Sequence, residues 1–444
     1  MNDKKNPNLI NYTFLGSILA ILIFGILMLF LMDKGGKATS ERGKGTSKTV
    51  TSEEEVPEEA TESAPEDEEI TTAPPTEPTT EPPTEPPTEP PTEAPDEIEL
   101  RIKEMSLHEK VCQLFIVTPE SLTNWENYSV GGQMTKKALK DYPVGGIIYF
   151  AFNIESAPAV TQMISNTKQY AEDQGMPPLF YAVDEEGGAV ARCAQKAGTT
   201  RFEPMYNYRL GGVDTARDNA KVIATDIASL GFNLDFAPVA DTWSNPNNKV
   251  IGTRAYSSDF KETATLIPAA VNGFHDGGVY CSLKHFPGHG DTLGDSHYGS
   301  VYTEKKLDEL KDAEYLAFES GISAGADMVM VGHITMNGVD QQPASISHQM
   351  ITDELRGRLG FDKVIITDSL SMRAVSDTYA SGELCVKVLE AGGDMLLMPA
   401  DFRAAVSGVE NAVKEGRLTE ERIDESVRRI LELKSERMDI SKKN

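Results

Sequence analysis

Eight short apolar runs constrain this chain more than any other feature. They are VCQLFIV from Val111, VGGIIYF from Val144, LFYAVD from Leu179, FNLDFAPVAD from Phe232, YCSLKHFPG from Tyr280, DMVMVGHI from Asp327, KVIITDS from Lys363 and DMLLMP from Asp394. Amphipathic stretches of helical length separate them, among them IESAPAVTQMISNTKQYAEDQG and TEKKLDELKDAEYLAFESGISAG. Continuous apolar runs suit strands buried on both faces, and their alternation with helices builds parallel β/α units. Eight such units predict an α/β fold with a single (β/α)8 TIM-type barrel over residues 98–444. A doubly wound open sheet is the competing architecture. No G-x-G-x-x-G or G-x-x-x-x-G-K-[ST] opens a helix after the first run, so a nucleotide site has no support.

The runs are apolar inside and ionisable at their C-terminal ends. Asp184, Glu185 and Glu186 close the third, and Asp235 and Asp241 lie near the end of the fourth. Lys284 and His285 end the fifth, His333 the sixth and Asp368 the seventh. A barrel carries its active site on that face. One polar strand end is often only a loop anchor, but several together predict an enzyme.

The densest constellation is KHFPGHGDTLGDSH, Lys284 to His297, which holds three of the seven histidines: His285, His289 and His297. Read as metal ligands, they lack the helical H-x-x-x-H setting of zinc proteases, because Pro287, Gly288, Gly290 and Gly294 break any helix there. Read structurally, they shape a Gly/Pro-rich loop. Read as acid/base chemistry, Asp295 and His297 pair two residues apart. A carboxylate beside an imidazole fixes its tautomer and favours its protonated form, which suits proton donation near neutral pH.

The motif KHFPGHG…DSH resembles the β-N-acetylglucosaminidase (β-N-acetylhexosaminidase) branch of family-3 glycoside hydrolases. The resemblance runs through about 100–440. It also covers VDEEGG from Val183, NLDFAPVAD from Asn233, IGTRAYSSD from Ile251, PASIS from Pro343 and LGFDKVIITDSLSM from Leu359. It implies a TIM-type barrel, no metal or other cofactor, and hydrolysis with retention through a covalent glycosyl–enzyme. By resemblance Asp368 is the nucleophile, and His297 with its dyad partner Asp295 is the acid/base. Asp184, Arg192, Arg254, Lys284 and His285 fall at sugar-binding positions. The implied reaction removes terminal β-linked N-acetylglucosamine, with cell-wall fragments the expected source. Where relatives often read VDQEGGRV, this chain has Ala189 at the arginine position, while Arg192 is kept. That leaves fine substrate contacts near the third run open.

Retaining glycosidases place a carboxylate beneath the anomeric carbon and a proton donor beside the leaving oxygen. Asp368 and His297 suit those roles. A β-glucosidase or β-xylosidase remains open, although such relatives usually lack the DSH loop. A phosphorylase that uses phosphate in place of water also remains open, as does an inactive wall-binding barrel. A carbohydrate is the expected partner, and the chain is expected to be a monomer.

Charge divides the rest of the chain. Of 444 residues, 42 are Lys or Arg and 69 Asp or Glu, for a net charge of −27, which argues against a nucleic-acid binder. Residues 51–97 hold 17 acidic and no basic residues, and 12 of the 25 prolines. Residues 33–97, with their repeating T-E-P-P, are therefore expected to form a disordered acidic linker, of which 51–97 is extended and able to reach on the order of 100 Å. Residues 14–32, FLGSILAILIFGILMLFLM, are apolar and follow a short tail, 1–13. They are expected to be an uncleaved transmembrane anchor, with a signal peptide the alternative. Five basic residues after the span argue for a cytoplasmic barrel by the positive-inside rule. The stalk-like linker argues for an extracellular one on a single-pass anchor in the cell membrane, and that is the expectation. The four cysteines form no C-x-x-C and are expected to be buried thiols.

Overall fold

The computed structural model describes residues 96–126, 130–292 and 294–440. Eight parallel strands follow in chain order: β1 (Phe115–Val117), β2 (Gly146–Ile148), β3 (Phe180–Val183), β4 (Leu234–Asp235), β5 (Tyr280–Phe286), β6 (Met328–Val331), β7 (Val364–Thr367) and β8 (Leu396–Leu397). Each pairs with its sequence neighbours, and β1 also pairs with β8 through Phe115↔Leu396 and Ile116↔Leu397. The Ile366↔Met395 bridge joins β7 to the β8 segment and closes the ring. All eight predicted runs supply a strand, and sequential order with closure excludes the open doubly wound sheet. Ile116, Val183, Leu283 and Val331 of this wall are all buried.

The helices between strands begin where sequence chemistry starts them. Ser156 caps Ala157–Asp173, Asp259 caps Phe260–Asp276 and Asp401 caps Phe402–Lys414, each accepting an N–H of the first turn. The stretch 303–325 differs from its helical expectation: it breaks into Leu307–Lys311 and Tyr315–Ser323. The break buries Glu314, which pairs with Lys305 and packs beneath Gly288. The fourth run is also less regular than expected, because Pro238 has no N–H for the ladder. It still bonds both neighbours, through Phe236 N–H to Val183 O at 2.9 Å and Ala240 N–H to Lys284 O at 2.7 Å.

The C-terminal segment floors the barrel. Tyr280 at the base of β5 donates its hydroxyl to Leu433 O and Lys434 O. Buried Lys434 reaches Gln113, below β1, at 3.0 Å and lies over Phe180 at the start of β3. Arg437 stacks on Tyr280 and faces Asp327 below β6, while Met438 Sδ accepts from Asn233 below β4.

One expectation is corrected. Among the described residues no helix is long and apolar enough to cross a membrane, so the expected fold with a transmembrane helix ahead of the barrel is cut back to the barrel itself. The expected tail, the span 14–32 and the linker up to residue 95 lie outside the described residues, as do the location and orientation drawn from them. The linker's last residue is helical: Glu97 opens the helix Glu97–Glu104, Asp96 caps it, and Arg428 pairs with Asp96 and Glu99.

Candidate active site

The C-terminal ends of the strands converge on a pocket of about 210 Å³. Its first wall comes from β3. Asp184 follows the strand, and the chain then folds into a short hairpin, Glu185–Gly187 against Val190–Ala191. Glu185 turns inward and accepts the N–H groups of Cys193 at 2.7 Å and Ala194 at 2.9 Å, which fixes the short helix that begins at Arg192. Burial pushes the Glu185 carboxyl up, against the pull of those donors. Arg192 thereby lines the pocket with its guanidinium 5.9 Å over the Phe150 ring, and its Nε has no partner among the described residues.

A buried charge network crosses from β3 to β5. Glu186 accepts a bidentate pair from Arg254, Nε at 2.8 Å and Nη2 at 2.7 Å. Lys284 bridges Glu186 at 2.6 Å and Asp184 at 2.8 Å. Burial alone would raise the Glu186 carboxyl; Arg254 and Lys284 override it and hold it well below the usual carboxylate range. The expectation that Arg254 and Lys284 meet sugar directly is thus refined: both line the pocket, with part of their donor capacity committed to Glu186.

The end of β5 carries the histidine loop. Asp241 is buried and accepts His285 Nδ1–H at 2.7 Å and the His289 N–H at 2.6 Å. Burial raises the Asp241 carboxyl, and His285 outweighs it, leaving it lowered. Two glycines of HFPGHG are dictated by packing. Gly288 sits at φ +130°, and a Cβ there would meet Glu314 Cγ at 2.5 Å. A Cβ on Gly290 would fall 1.7 Å from Thr242 O.

All three loop histidines line the pocket. Nδ1 of His285, His289 and His297 is taken by Asp241, Thr292 and Asp295 respectively. Among the described residues, the three potential ligands close enough to share an ion are His275, Cys281 and Asp327, at the opposite end of the barrel. His297 lies at the mouth with its side chain 64% exposed, and Asp295 holds its Nδ1 at 2.7 Å. The Asp295 carboxyl is raised by burial but net lowered by its hydrogen bonds from His297.

Asp368 stands just past β7. Its N–H bonds Val331 O at 2.9 Å, and its Oδ1 accepts the Ser369 N–H at 2.7 Å. Burial raises this carboxyl, yet His285, His333, the Ser369 N–H and Lys284 together hold it below its ordinary value. An ionised carboxylate and an exposed imidazole thus face one pocket. Of the expected site residues, Asp184, Arg192, Arg254, Lys284, His285, His297 and Asp368 all line it, and Asp295 supports His297 from behind. Glu186, Asp241 and His333 were visible as polar strand ends, but their role as partners was not. Phe150, Met372 and Met398 also line the wall; they lay within the quoted runs and motifs but were not singled out, and Met398 has a φ of 48°.

Residues 106–433 match the glycosyl hydrolase family 3 N terminal domain. The chain belongs to glycosyl hydrolase family 3. This family-3 chain is 34% identical over 321 residues to beta-hexosaminidase A of Pseudoalteromonas piscicida, covering 66% of this chain and 54% of that protein. It is 34% identical over 265 residues to a beta-hexosaminidase of Stenotrophomonas maltophilia, covering 57% of this chain and 76% of that one. It superposes on a family 3 beta-N-acetylglucosaminidase from a Paenibacillus species with a TM-score of 0.71 and 36% identity, over 75% of this chain and 63% of that one. The family-3 chain therefore spans about half the length of the Pseudoalteromonas relative and less than two thirds of the Paenibacillus protein.

Proposed function

We propose that this chain is a retaining glycosidase that removes terminal β-linked N-acetylglucosamine. One observation carries the reading: Asp368, held ionised, and His297, steadied by Asp295, line the same small pocket. The names of its family-3 relatives support the choice of sugar.

The geometry suits two balanced steps. An Asp368 oxygen attacks the anomeric carbon while the glycosidic C–O bond breaks. Because Asp295 accepts Nδ1–H, the His297 Nε2 is the position that gives its proton to the leaving oxygen. Water then enters, Nε2 takes its proton, and the resulting hydroxide attacks the same carbon to release Asp368. Arg192, whose Nε has no partner among the described residues, and Lys284 orient the ring. The pocket's volume suits one ring, so a terminal sugar rather than mid-chain polymer is the substrate. Cell-wall fragments are a source of such ends.

The deciding measurement is p-nitrophenol release from the N-acetyl-β-glucosaminide against the β-glucoside, with and without phosphate. Preference for the former, independent of phosphate, is expected. Faster glucoside cleavage overturns the choice of sugar, and a sugar-1-phosphate product overturns hydrolysis.

A further inference from the structure

We propose that His289 is a second sugar-binding imidazole, whose Nε2 accepts a hydrogen bond from one hydroxyl of the ring held in the pocket. This role rests on the glycosidase reading above and adds a residue to it.

The backbone of His289 is fixed from both sides. Its N–H goes to Asp241 Oδ1 at 2.6 Å, and its carbonyl accepts Asn248 Nδ2 at 2.7 Å and Thr292 Oγ1 at 2.9 Å. Thr292 then settles the tautomer. A hydroxyl has one proton, and a carbonyl can only accept, so the Thr292 proton points to His289 O. The contact of Thr292 Oγ1 with Nδ1 at 2.7 Å must therefore run the other way, with Nδ1–H donating. That leaves Nε2 with its lone pair. Burial and the neighbouring His285, its ring centroid 5.9 Å away, both disfavour a second proton on the ring.

Nε2 is buried and has no hydrogen-bond partner among the described residues, yet His289 lines the pocket beside His285, His297 and Asp368. A buried acceptor without a partner is costly unless a ligand supplies one. Among the other polar groups of the lining, Asp184, Glu186, Arg254 and Lys284 pair with one another, whereas His289 Nε2 is a neutral acceptor with its lone pair free for a hydroxyl proton. A sugar ring offers hydroxyl donors in abundance.

The test compares wild type with His289→Leu, His289→Asn, Thr292→Val and Thr292→Ser on the p-nitrophenyl N-acetyl-β-glucosaminide and its 3-, 4- and 6-deoxy analogues. On the parent substrate His289→Leu should lose about 10- to 100-fold in kcat/KM, the value of one hydrogen bond to a buried partner. On one deoxy analogue the wild type should lose a similar factor, and His289→Leu should add nothing further. Thr292→Val should follow the same pattern more weakly, and Thr292→Ser, which keeps the hydroxyl, should match wild type. If His289→Leu fails to fold, His289→Asn and Thr292→Val carry the same comparison. An equal loss on all four substrates overturns the proposal in favour of a packing role. Coupling to the acetamido group alone, seen against the β-glucoside series, overturns the hydroxyl assignment. If the wild type cleaves only the β-glucoside, the deoxyglucosides replace the panel and His289 is judged on them. If it cleaves neither, the glycosidase reading falls and this role with it.

Discussion

Asp295 binds His297 twice through a single oxygen: Oδ1 accepts the backbone N–H at 2.9 Å and the ring Nδ1–H at 2.7 Å. A carboxylate can only accept, so this grip fixes both the loop and the tautomer. His297→Ala should lose on the order of 10²–10⁴ in kcat on glycosides with poor leaving groups. It should lose far less on p-nitrophenyl glycosides, whose leaving group departs unprotonated. Asp295→Ala should show the same asymmetry with a smaller loss. A leaving-group series on each variant measures this, and equal losses across the series would reduce His297 to a positioning role.

Asp368→Asn should abolish turnover while leaving the circular dichroism spectrum and melting temperature close to wild type. The side chain sits at a strand end and is the same size, so the barrel has no reason to reorganise. A slow 2-fluoro or 5-fluoro glycoside should trap the wild type as an adduct on Asp368, read by peptide mass spectrometry. Because the folded carboxyl is held below its ordinary value, it stays ionised as pH falls past that value. The acid limb of kcat/KM should therefore lie below the usual aspartate range.

Glu186→Gln should destabilise the fold by about 3–5 kcal/mol, since it strips Arg254 of its carboxylate and leaves buried Lys284 with Asp184 alone. Glu186 also has a pH signature. Its pKa is depressed in the folded state, so its stabilisation is complete above the unfolded glutamate value and drains away as pH falls below it. Urea midpoints from pH 7 down to pH 3 should decline for wild type. They should decline less steeply for Glu186→Gln; parallel curves would sink the idea.

Gly290→Ala should cost about 1–3 kcal/mol and raise KM, because the added methyl would need the space of Thr242 O. Gly299→Ala, where a Cβ meets nothing within 4 Å, is the matched control and should melt like wild type. Thermal melts of the pair are sufficient.

Much of the barrel was legible because its signal is local. Each strand spans only two to seven residues, and runs such as KVIITDS announce both the strand and the group it delivers. Asp368, Lys284 and His285 were legible for the same reason: a strand end fixes where they point. Partnerships were not. Glu186 meets Arg254 across 68 residues and Lys284 across 98, and Asp241 meets His285 across 44; no local pattern encodes such pairings. The break at Asp312–Glu314 was hidden because helix propensity there is high, and burial of Glu314 beneath Gly288 overrides it. Asp96 read as one more charge in an acidic tract, whereas its carboxylate is the cap on Ile98 N–H.

Leu433–Met438 cover the end of the barrel away from the pocket, whose door is the mouth where exposed His297 stands. Under the proposed reaction, whatever is cut from the sugar must back out through that door before water can come in, and the sugar must follow last. Release is then ordered. Free N-acetylglucosamine should inhibit competitively, whereas the departing aglycone should not compete at the sugar's position.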